Sequence, residues 1–369
     1  MNILIAADYA TPAGGNFVAS CVELGRYLKQ KGHGLTFLFP ENQNTSSPAS
    51  WTHWLEREGW TVYRIPRQQP EAQTLKLLRD CIQKHRIDIL HLHFGMLHHL
   101  VFSHKKELGV KVLVHDHMDF PVGCNLAKQK LWCAMQSLRY RINGIAIASV
   151  NPQKEAAYRF ARHWYIPNGL SLIRNVERSA SREEVRAQLG IRPEEKVCLF
   201  LGWDVHRKGL DIAVKAVHTL RQRDPSVLLG IVGLGDPPRQ ERLQFIADTT
   251  GIDPASEWIR YFPSREDMFA YHRAVDVYLS ASRSEAFSYG ILEAISENTP
   301  VAVSDIPGTS WCHSYSKTVV YPVEDANACA DALEKALAQG RTASNRDALL
   351  QTYGIDIWCS RILSAYQAL

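Results

Sequence analysis

An α/β fold of two Rossmann-like domains is predicted by three features of the sequence. Short β-rich runs alternate with amphipathic stretches, which indicates parallel sheets covered by helices on both faces. The alternation stops in a polar stretch after Pro167-Asn168-Gly169 and restarts near Lys196. A chain of 369 residues is also too long for a single core. Open sheets of this kind bind ligands at the carboxyl ends of their strands, so we expect the two domains to face each other across a cleft.

The first half is predicted to form an N-terminal domain over residues 1–168. Residues 17–31 have the apolar period of a helix and are followed by Gly32, which favours a helix end at that point. Runs rich in β-branched and aromatic residues predict the strands. These are expected at residues 2–7, 34–39, 61–65, 87–91, 111–115, 144–149 and 164–166.

A C-terminal domain is predicted over residues 169–352, with a polar linker at residues 173–182. Residues 353–369 are expected to form a terminal helix. The strands of this domain follow the same pattern as those of the first. They are expected at residues 196–202, 227–232, 258–261, 275–279, 300–303 and 318–321.

Composition predicts a cytoplasmic globular protein. The chain is 46% hydrophobic and 22% charged, and no apolar run reaches the roughly 18 residues that cross a bilayer. Residues 1–8 lack a basic leader and a cleavage site, so we expect a first strand there instead of a signal peptide. The eight cysteines are scattered without a Cys-x-x-Cys pair, which favours reduced thiols.

Charge is distributed unequally between the halves. Residues 1–168 contain 20 Lys and Arg against 12 Asp and Glu, whereas residues 169–369 contain 22 against 26. The first half is therefore expected to meet an anionic partner. A nucleic-acid partner is disfavoured because the excess is modest and confined to one half. Between Asp119 and Glu155 the sequence has no acid, and five cations lie there: Lys128, Lys130, Arg139, Arg141 and Lys154.

Residues 126–142 have an apolar stripe at helical spacing. Its members are Leu131, Met135, Leu138 and Ile142, next to Trp132. Two interpretations are open. The favoured one is a helix that packs on its own sheet; the other is a patch that associates peripherally with an anionic membrane, at the inner face of the plasma membrane.

Glu285 and Glu293 are the most informative residues of the chain. The sequence around them predicts a loop that carries Glu285, followed by a helix whose second turn carries Glu293. The free N–H groups at the start of that helix suit a phosphate, while the two carboxylates suit sugar and ribose hydroxyls. A nucleotide sugar presents both chemistries. The alternative is a pair of solvated helix acids.

Two further loops carry groups suited to a phosphate. Arg207 and Lys208 follow the strand that ends near Gly202, where cations neutralise a diphosphate; the alternative is a solvated basic turn. Gly14 and Gly15 follow the first strand and open the first helix, where backbone approaches a ligand closely.

Histidines are concentrated in the first half, where 11 of the 15 lie. His91 and His93 lie at the end of one predicted strand, and His115 and His117 at the end of the next. Polar lining of a cleft is the favoured interpretation. A zinc site is the alternative, because imidazoles at this spacing can bind zinc, and it would make the protein a zinc-dependent hydrolase.

The motifs together resemble the retaining glycosyltransferases of family 4, which have the GT-B fold. The resemblance runs from residue 1 to the C-terminus. It rests on the Gly-Gly loop after the first strand, the histidine-bearing strand ends, Pro167-Asn168-Gly169, and above all the block containing Glu285 and Glu293. Residues 353–369, with Trp358, are similar to the terminal helix that crosses back onto the first domain in that family.

The resemblance implies a role for each matching residue. Glu285 would contact the donor sugar, Glu293 the ribose, and Lys208 a phosphate, while His115 would approach the reacting sugar. Gly14 and Gly15 would border the diphosphate or the acceptor. Backbone N–H groups would receive the sugar and diphosphate at Phe287, Ser288 and Tyr289.

Four positions depart from the family pattern. Trp203 stands where an arginine is usual, and Arg207 is expected to supply the missing cation. Ala286 and Ser288 replace the usual glycines of the Glu-Gly-Phe-Gly sequence. Asn298 stands where a glycine is common, and asparagine can adopt the same left-handed conformation.

The resemblance implies transfer of a hexose from a nucleoside-diphosphate sugar to a hydroxyl of a glycan or lipid-linked saccharide, with retained configuration. It implies no metal or other cofactor. Bacterial surface polysaccharide synthesis is the expected setting. A hydrolysing nucleotide-sugar 2-epimerase shares the architecture and is the main alternative. The sequence does not distinguish uridine, guanosine or adenosine in the donor.

Overall fold

The computed structural model describes residues 1–9, 14–41, 50–66, 69–95, 97–119, 125–176, 180–341 and 345–369. The chain divides into two compact units: unit 1 is Met1–Ser171 with Tyr353–Leu369, and unit 2 is Leu172–Thr352. The first boundary lies three residues beyond the one that the sequence predicts, and the second coincides with it.

Unit 1 contains a parallel sheet whose seven described strands have the order β3-β2-β1-β4-β5-β6-β7. Its central strands are largely buried because helices cover both faces of such a sheet. The strands are β1 (Asn2–Ala7), β2 (Gly34–Pro40), β3 (Thr61–Ile65), β4 (Ile89–His93), β5 (Lys111–Asp116), β6 (Ile145–Ser149) and β7 (His163–Tyr165). The helices are α1 (Gly15–Gln30), α2 (Ser50–Arg57), α3 (Glu71–His85), α4 (His98–Leu108) and α5 (Leu126–Ile142).

Unit 2 has a second parallel sheet, in which the six described strands have the order β10-β9-β8-β11-β12-β13. The strands are β8 (Lys196–Leu201), β9 (Val227–Val232), β10 (Ile259–Phe262), β11 (Val277–Ser280), β12 (Val301–Ser304) and β13 (Thr318–Tyr321). The helices are α6 (Arg182–Gln188), α7 (Leu210–Arg221), α8 (Gln240–Thr250), α9 (Met268–Ala274), α10 (Tyr289–Ser296), α11 (Ala326–Gln339) and α12 (Arg346–Tyr353). The prediction of two Rossmann-like domains is confirmed.

The chain returns to unit 1 in its last helix, α13 (Ile355–Ala368). This helix packs against α1 and buries Trp358. A Cβ at Gly169 would lie 2.5 Å from the Cβ of Trp358, so a side chain at position 169 would displace the helix. The Tyr366 hydroxyl lies 2.7 Å from Nδ1 of His91 in β4, which ties the terminal helix to the sheet.

Strand β4 lies two residues further along the chain than the sequence predicts. Pairing with β1 sets its register, because Ile3 lies opposite Ile89 and Ala7 opposite His93. His91 and His93 therefore belong to the strand itself and are buried. Both imidazoles therefore lie inside unit 1, although these polar side chains are expected at the end of the strand.

Helix α5 packs on its own sheet, at β6, as the favoured interpretation expects, but not through the predicted apolar stripe. The side chains that pack toward the interior are Cys133, Ser137 and Tyr140. The predicted apolar stripe is exposed instead, by 63% at Leu131, 63% at Met135, 47% at Leu138 and 76% at Ile142. Among the described helices, none combines the length and apolar character that crossing a bilayer requires.

Candidate functional site

Glu285 lies in the loop between β11 and α10, and its carboxylate is buried with two cations. Lys208 Nζ donates to Oε1, and Arg207 Nη1 lies 3.5 Å from Oε2. The Ser282 hydroxyl donates to Oε1 at 2.9 Å. Strands β8 and β11 are neighbours in a parallel sheet, so the loops after them meet at the same edge. This adjacency brings together the cations and the acid that the sequence separates by 77 residues.

Two glycines allow the backbone around Glu285 to pack this closely. Gly209, at the start of α7, has φ +72°, and a Cβ there would lie 2.0 Å from the carbonyl oxygen of Ala281. A Cβ at Gly308 would lie 1.6 Å from the carbonyl oxygen of Glu285. Any larger residue at either position would move the loop that carries the carboxylate.

The electrostatic balance keeps Glu285 ionised. Burial raises the pKa of this carboxyl, but Lys208, Arg207 and the hydrogen bond from Ser282 outweigh burial, and the net pKa is below its ordinary value. Glu285 is thus a fixed negative charge with its own counter-cations. The alternative of two solvated helix acids is wrong, since Glu285 is 7% exposed and Glu293 only 2%.

Arg207 links two loops of unit 2. Its Nε donates to Asp204 Oδ2 at 3.0 Å, and its Nη1 donates to the Ser284 carbonyl oxygen at 3.1 Å. Asp204 therefore orients the guanidinium toward the loop of Glu285. Trp203, which stands in the position where the family has arginine, is 68% exposed.

Glu293 occupies the second turn of α10, as the sequence predicts. Its carboxylate lies 3.5 Å from Nε2 of His272 and 4.0 Å from Nη1 of Arg174. Sequence reasoning missed both neighbours. Arg174 lies in the predicted linker, where only its cationic side chain distinguishes it, and His272 lies on α9 with no motif around it.

The start of α10 lies between the two glutamates. Ser288 is its N-cap residue and makes no side-chain capping bond, and no acid lies in the first turn. Phe287 stacks on Trp311 with ring centroids 4.6 Å apart, which fixes the approach to the helix. Buried Tyr278 has a pKa above its ordinary value because of burial, and Glu285 and Glu293 raise the pKa further. Both carboxylates thus act on one hydroxyl group beside this helix.

In unit 1 a stack of imidazoles lies at the carboxyl ends of β4 and β5. His115 in β5 stacks on His117 with centroids 4.5 Å apart, and on His93 with centroids 5.0 Å apart. Burial lowers the pKa of His115 well below its ordinary value, His117 lowers it further, and a hydrogen bond with the backbone of Ile166 acts in the opposite direction. Burial also lowers the pKa of His117 to about 3. These rings are neutral at physiological pH.

A cavity of about 880 Å³ adjoins these histidines within unit 1. One wall is an ion pair, in which Lys154 Nζ donates to Asp116 Oδ2 at 2.7 Å and the Tyr158 hydroxyl donates to the same oxygen at 2.6 Å. Sequence reasoning missed this trio, since Lys154 and Tyr158 lie far along the chain from Asp116. The cavity is lined by His115, Asp116, His117, Asp119, Trp132 and Lys154, among others.

Three buried histidines have nitrogen atoms close enough for a metal ion. One nitrogen atom from each of His91, His93 and His115 lies within 4.8 Å of the others. Nδ1 of His93 already pairs with Nε2 of His117 at 2.8 Å, and Nδ1 of His91 with Tyr366. A catalytic zinc needs an accessible fourth position, and all three imidazoles are at most 3% exposed. The trio fits a catalytic metal poorly.

Gly14 and Gly15 lie at the start of α1, as the sequence predicts. Gly15 has φ +55°, and the carbonyl oxygen of Gly14 accepts a hydrogen bond from the Tyr9 hydroxyl at 3.0 Å. Residues 10–13, the rest of this loop, lie outside the described residues. The role of the two glycines with a ligand stays a prediction.

Comparison with known proteins connects this geometry to one family. Residues 18–175 match the family model described as Glycosyltransferase Family 4, and residues 181–349 match the one described as Glycosyl transferases group 1. The chain belongs to glycosyltransferase family 4. The resemblance drawn from the motifs is confirmed.

Curated members of the family are similar to this chain over different lengths. A D-inositol 3-phosphate glycosyltransferase of Nocardia farcinica is 32% identical over 152 residues, which is 39% of this chain and 33% of that protein. The matched part is thus about a third of the length of that relative. A GDP-mannose-dependent α-(1-6)-phosphatidylinositol monomannoside mannosyltransferase of Mycolicibacterium smegmatis is 24% identical over 96% of this chain and 94% of its own length.

Among solved structures, Anabaena HepE in complex with UDP and glucose matches with a TM-score of 0.77. The match covers all of both chains at 14% identity. At that identity the likeness concerns the fold, which is the GT-B fold of this glycosyltransferase family.

Proposed function

We propose that the protein is a retaining glycosyltransferase that moves a hexose from a nucleoside-diphosphate sugar to a hydroxyl of a glycan or lipid-linked saccharide. Bacterial surface polysaccharide synthesis is the proposed setting. The cluster of Glu285, Lys208 and Arg207 beside the start of α10 carries this proposal. It combines a carboxylate acceptor for hydroxyl groups with cations and N–H donors for a diphosphate.

Two relatives support a nucleotide-sugar donor. The mannosyltransferase that matches nearly the whole chain is named as GDP-mannose-dependent, and HepE is described with UDP and glucose. The nucleobase differs between them, so the proposal extends to the nucleoside diphosphate and the hexose. Glu293, with Arg174 and His272 beside it, is proposed to hold the ribose.

In the proposed reaction, the bond between the anomeric carbon and the diphosphate oxygen breaks, and its electron pair leaves with the diphosphate. Lys208, Arg207 and the N–H groups of Phe287, Ser288 and Tyr289 stabilise the charge that develops there. The acceptor oxygen bonds the anomeric carbon on the same face, and its proton passes to the departing phosphate. Fixed cations and N–H groups supply the stabilisation that a metal would give, so no cofactor is proposed.

The cavity of unit 1 is the proposed acceptor site. It offers a polar wall at Asp116 and Lys154, an aromatic surface at Trp132, and His115 at the end of β5. Sugar hydroxyls suit the carboxylate and imidazole groups, while an apolar portion of the acceptor suits the indole ring. His115 is proposed to approach the donor sugar at the reacting carbon, as the neutral imidazole that its lowered pKa maintains.

Product analysis tests the proposal. Purified protein is incubated with UDP- and GDP-hexoses, with and without saccharide acceptors, and the products are identified by nuclear magnetic resonance. We expect nucleoside diphosphate and a glycoside with the anomeric configuration of the donor, formed only when the acceptor is present. Release of the 2-epimer from donor alone would support the hydrolysing epimerase instead. A glycoside of inverted configuration would contradict the retaining mechanism.

A zinc-dependent hydrolase is the other candidate, because His91, His93 and His115 cluster, although their burial fits a catalytic metal poorly. Elemental analysis of purified protein separates the two. The glycosyltransferase proposal predicts transfer that survives treatment with EDTA and far less than one zinc ion per chain. One zinc ion per chain, together with loss of all activity in EDTA, would favour the hydrolase.

A further inference from the structure

Helix α5 has two opposite faces, and the described residues of unit 1 cover only one of them. At 100° per residue, Cys133, Ser137 and Tyr140 lie on one side, where they are buried. Leu131, Met135, Leu138 and Ile142 fall within about 60° of each other on the opposite side, where they are exposed. We name these four exposed side chains the α5 surface. A contiguous exposed apolar strip of this kind marks an interaction site.

Cations border the α5 surface on both sides. Lys128 and Arg139 project on one side and Lys130 and Arg141 on the other, by the same helical geometry. The sequence has no acid from residue 120 to residue 154. Asp116, the nearest preceding carboxylate apart from Asp119, is paired with Lys154. The border of the strip is therefore positively charged along the whole helix.

This charge pattern identifies the chemistry of the partner. In a two-fold dimer the same patch meets itself, so two copies of α5 would bring like charges together. An apolar strip between two rows of cations fits the surface of an anionic bilayer, with the apolar side chains among the acyl chains and the cations at the headgroups.

We propose that the α5 surface docks on an anionic phospholipid bilayer. The inference deepens the proposed function and depends on it in one respect: docking would bring a lipid-linked acceptor to the cavity. Lys128, Gln129, Trp132 and Cys133 of α5 line that cavity. A docked α5 would hold it within about one helix diameter, roughly 10 Å, of the headgroups.

Vesicle sedimentation tests the docking. The full chain is mixed with vesicles of phosphatidylcholine alone, or of phosphatidylcholine with 30% phosphatidylglycerol. We expect binding to the anionic vesicles and at least tenfold weaker binding to the neutral ones. The apolar variant replaces Leu131, Met135, Leu138 and Ile142 by Gln, and the cationic variant is Lys130→Gln with Arg141→Gln. Each is expected to weaken binding to anionic vesicles at least tenfold, since each cation near such a surface contributes about 1 kcal/mol, or roughly fivefold.

Matched controls use exposed residues elsewhere. Val176→Gln with Val323→Gln removes exposed apolar side chains from unit 2, and Lys29→Gln with Lys31→Gln removes two cations from the end of α1. Both controls are expected to bind anionic vesicles like the wild type. None of the variants changes a residue of the cavity or of the cluster formed by Glu285, Lys208 and Arg207. Their affinity for a nucleoside diphosphate in solution is therefore expected to match that of the wild type.

Three outcomes would overturn the docking. The first is a wild type that does not bind anionic vesicles, and the second is α5 variants that bind them as well as the wild type does. The third is a wild type that is dimeric in solution and an apolar variant that is monomeric, which would identify a second copy as the partner. The proposed function fails separately, through absence of nucleoside-diphosphate binding or transfer to a soluble acceptor.

Discussion

Units 1 and 2 share the same architecture but differ in the ionisable groups that they bury. Each has a parallel sheet with polar residues at the carboxyl ends of neighbouring strands, and in each these residues are almost fully buried. In unit 2 the buried carboxylates of Glu285 and Glu293 have cationic or imidazole neighbours, and the pKa of Glu285 is lowered. In unit 1 the buried imidazoles stack mainly on each other, and the pKa of His115 is lowered. Similar burial therefore accompanies paired charges around Glu285 in unit 2 and neutral, stacked imidazoles beside the Asp116–Lys154 ion pair in unit 1.

The difference suggests a division of labour. A fixed set of charges can bind an anionic donor and stabilise a leaving diphosphate with little reorganisation. Neutral imidazoles beside a cavity can accept and donate hydrogen bonds to hydroxyl groups without attracting a phosphate. The comparison predicts that substitutions in unit 2 act on the donor and that acidification acts first on unit 1.

The largest effect is expected for Lys208→Ala. It removes the cation in contact with Glu285 and, in the proposed reaction, a charge beside the departing diphosphate. We expect kcat to fall by about 10²- to 10³-fold, the effect typical of losing one preorganised electrostatic group. Steady-state transfer assays measure it. The matched control is Lys215→Ala. This lysine lies in α7, the helix that follows Lys208, but away from Glu285, and the variant should keep the wild-type rate. Similar rates for both variants would contradict the role of Lys208.

Glu285→Ala and Glu293→Ala should separate turnover from binding. We expect Glu285→Ala to lower kcat about 100-fold with a small change in donor affinity, because the proposed reaction places Glu285 on the reacting sugar. Glu293→Ala is expected to weaken nucleotide binding about tenfold or more, since one side of the ribose site would be lost and Arg174 would lack its carboxylate neighbour. Calorimetric titration with nucleoside diphosphate and kinetics together distinguish them. Equal effects on both quantities in both variants would refute the separate assignments.

As pH falls, the stability of unit 1 should decrease before that of unit 2. The folded-state pKa values of His91, His93, His115 and His117 lie below the ordinary value of 6.5. The unfolded chain therefore binds more protons below pH 6.5, and stability falls as pH decreases from there toward the folded pKa. Each histidine contributes about 1.4 kcal/mol per pH unit. Glu285 affects stability over a different pH range. Its lowered pKa contributes stability that is present above the pKa of the unfolded state and is lost only as pH falls through the pKa of the folded state.

Hydrogen exchange measures this difference strand by strand. Between pH 6.5 and pH 5, after correction for intrinsic exchange rates, we expect protection to decrease in β4 and β5 and to stay constant in β8 and β11. His117→Gln should reduce the pH dependence in unit 1, whereas His99→Gln, at an exposed site, should leave it unchanged. Parallel loss of protection in both units over this range would contradict the contrast between neutral and paired groups.

The smallest effect is expected for Arg207→Ala. Its guanidinium is shared among Asp204, the Ser284 carbonyl and Glu285, and it is partly exposed, so it should contribute less than Lys208. We expect donor affinity to fall about three- to tenfold, as measured by titration calorimetry. Unchanged affinity would refute the idea that Arg207 replaces the arginine usually found where Trp203 stands.

Much of the fold could be predicted because strand limits coincide with local signals. Thr61–Ile65, Val227–Val232 and Thr318–Tyr321 have the bounds that the sequence predicts, since a proline or glycine follows each of these strands. Asn298 adopts φ +55°, which confirms the left-handed conformation expected there. Strand β4 differs because its register depends on β1, which lies more than 80 residues earlier. No local pattern contains that pairing.

The candidate site could be predicted from sequence only for residues that belong to a recognisable motif. Residues that reach it through tertiary packing could not be predicted. The motif identified Glu285, Glu293 and Lys208, but nothing near Arg174 or His272 in sequence indicates that each lies beside Glu293. Helix α5 is a second example of packing that the sequence does not predict. Its apolar period predicts a stripe but not what covers it, and the small and polar Cys133 and Ser137 occupy the buried face instead.

A crystal structure with a nucleoside-diphosphate hexose bound tests the central claim most directly. The account predicts the diphosphate within hydrogen-bond distance of Lys208 Nζ and of the N–H groups at the start of α10, with Glu285 on the sugar and Glu293 on the ribose. A ligand bound elsewhere, with Lys208 and Glu285 contacting no part of it, would contradict the account.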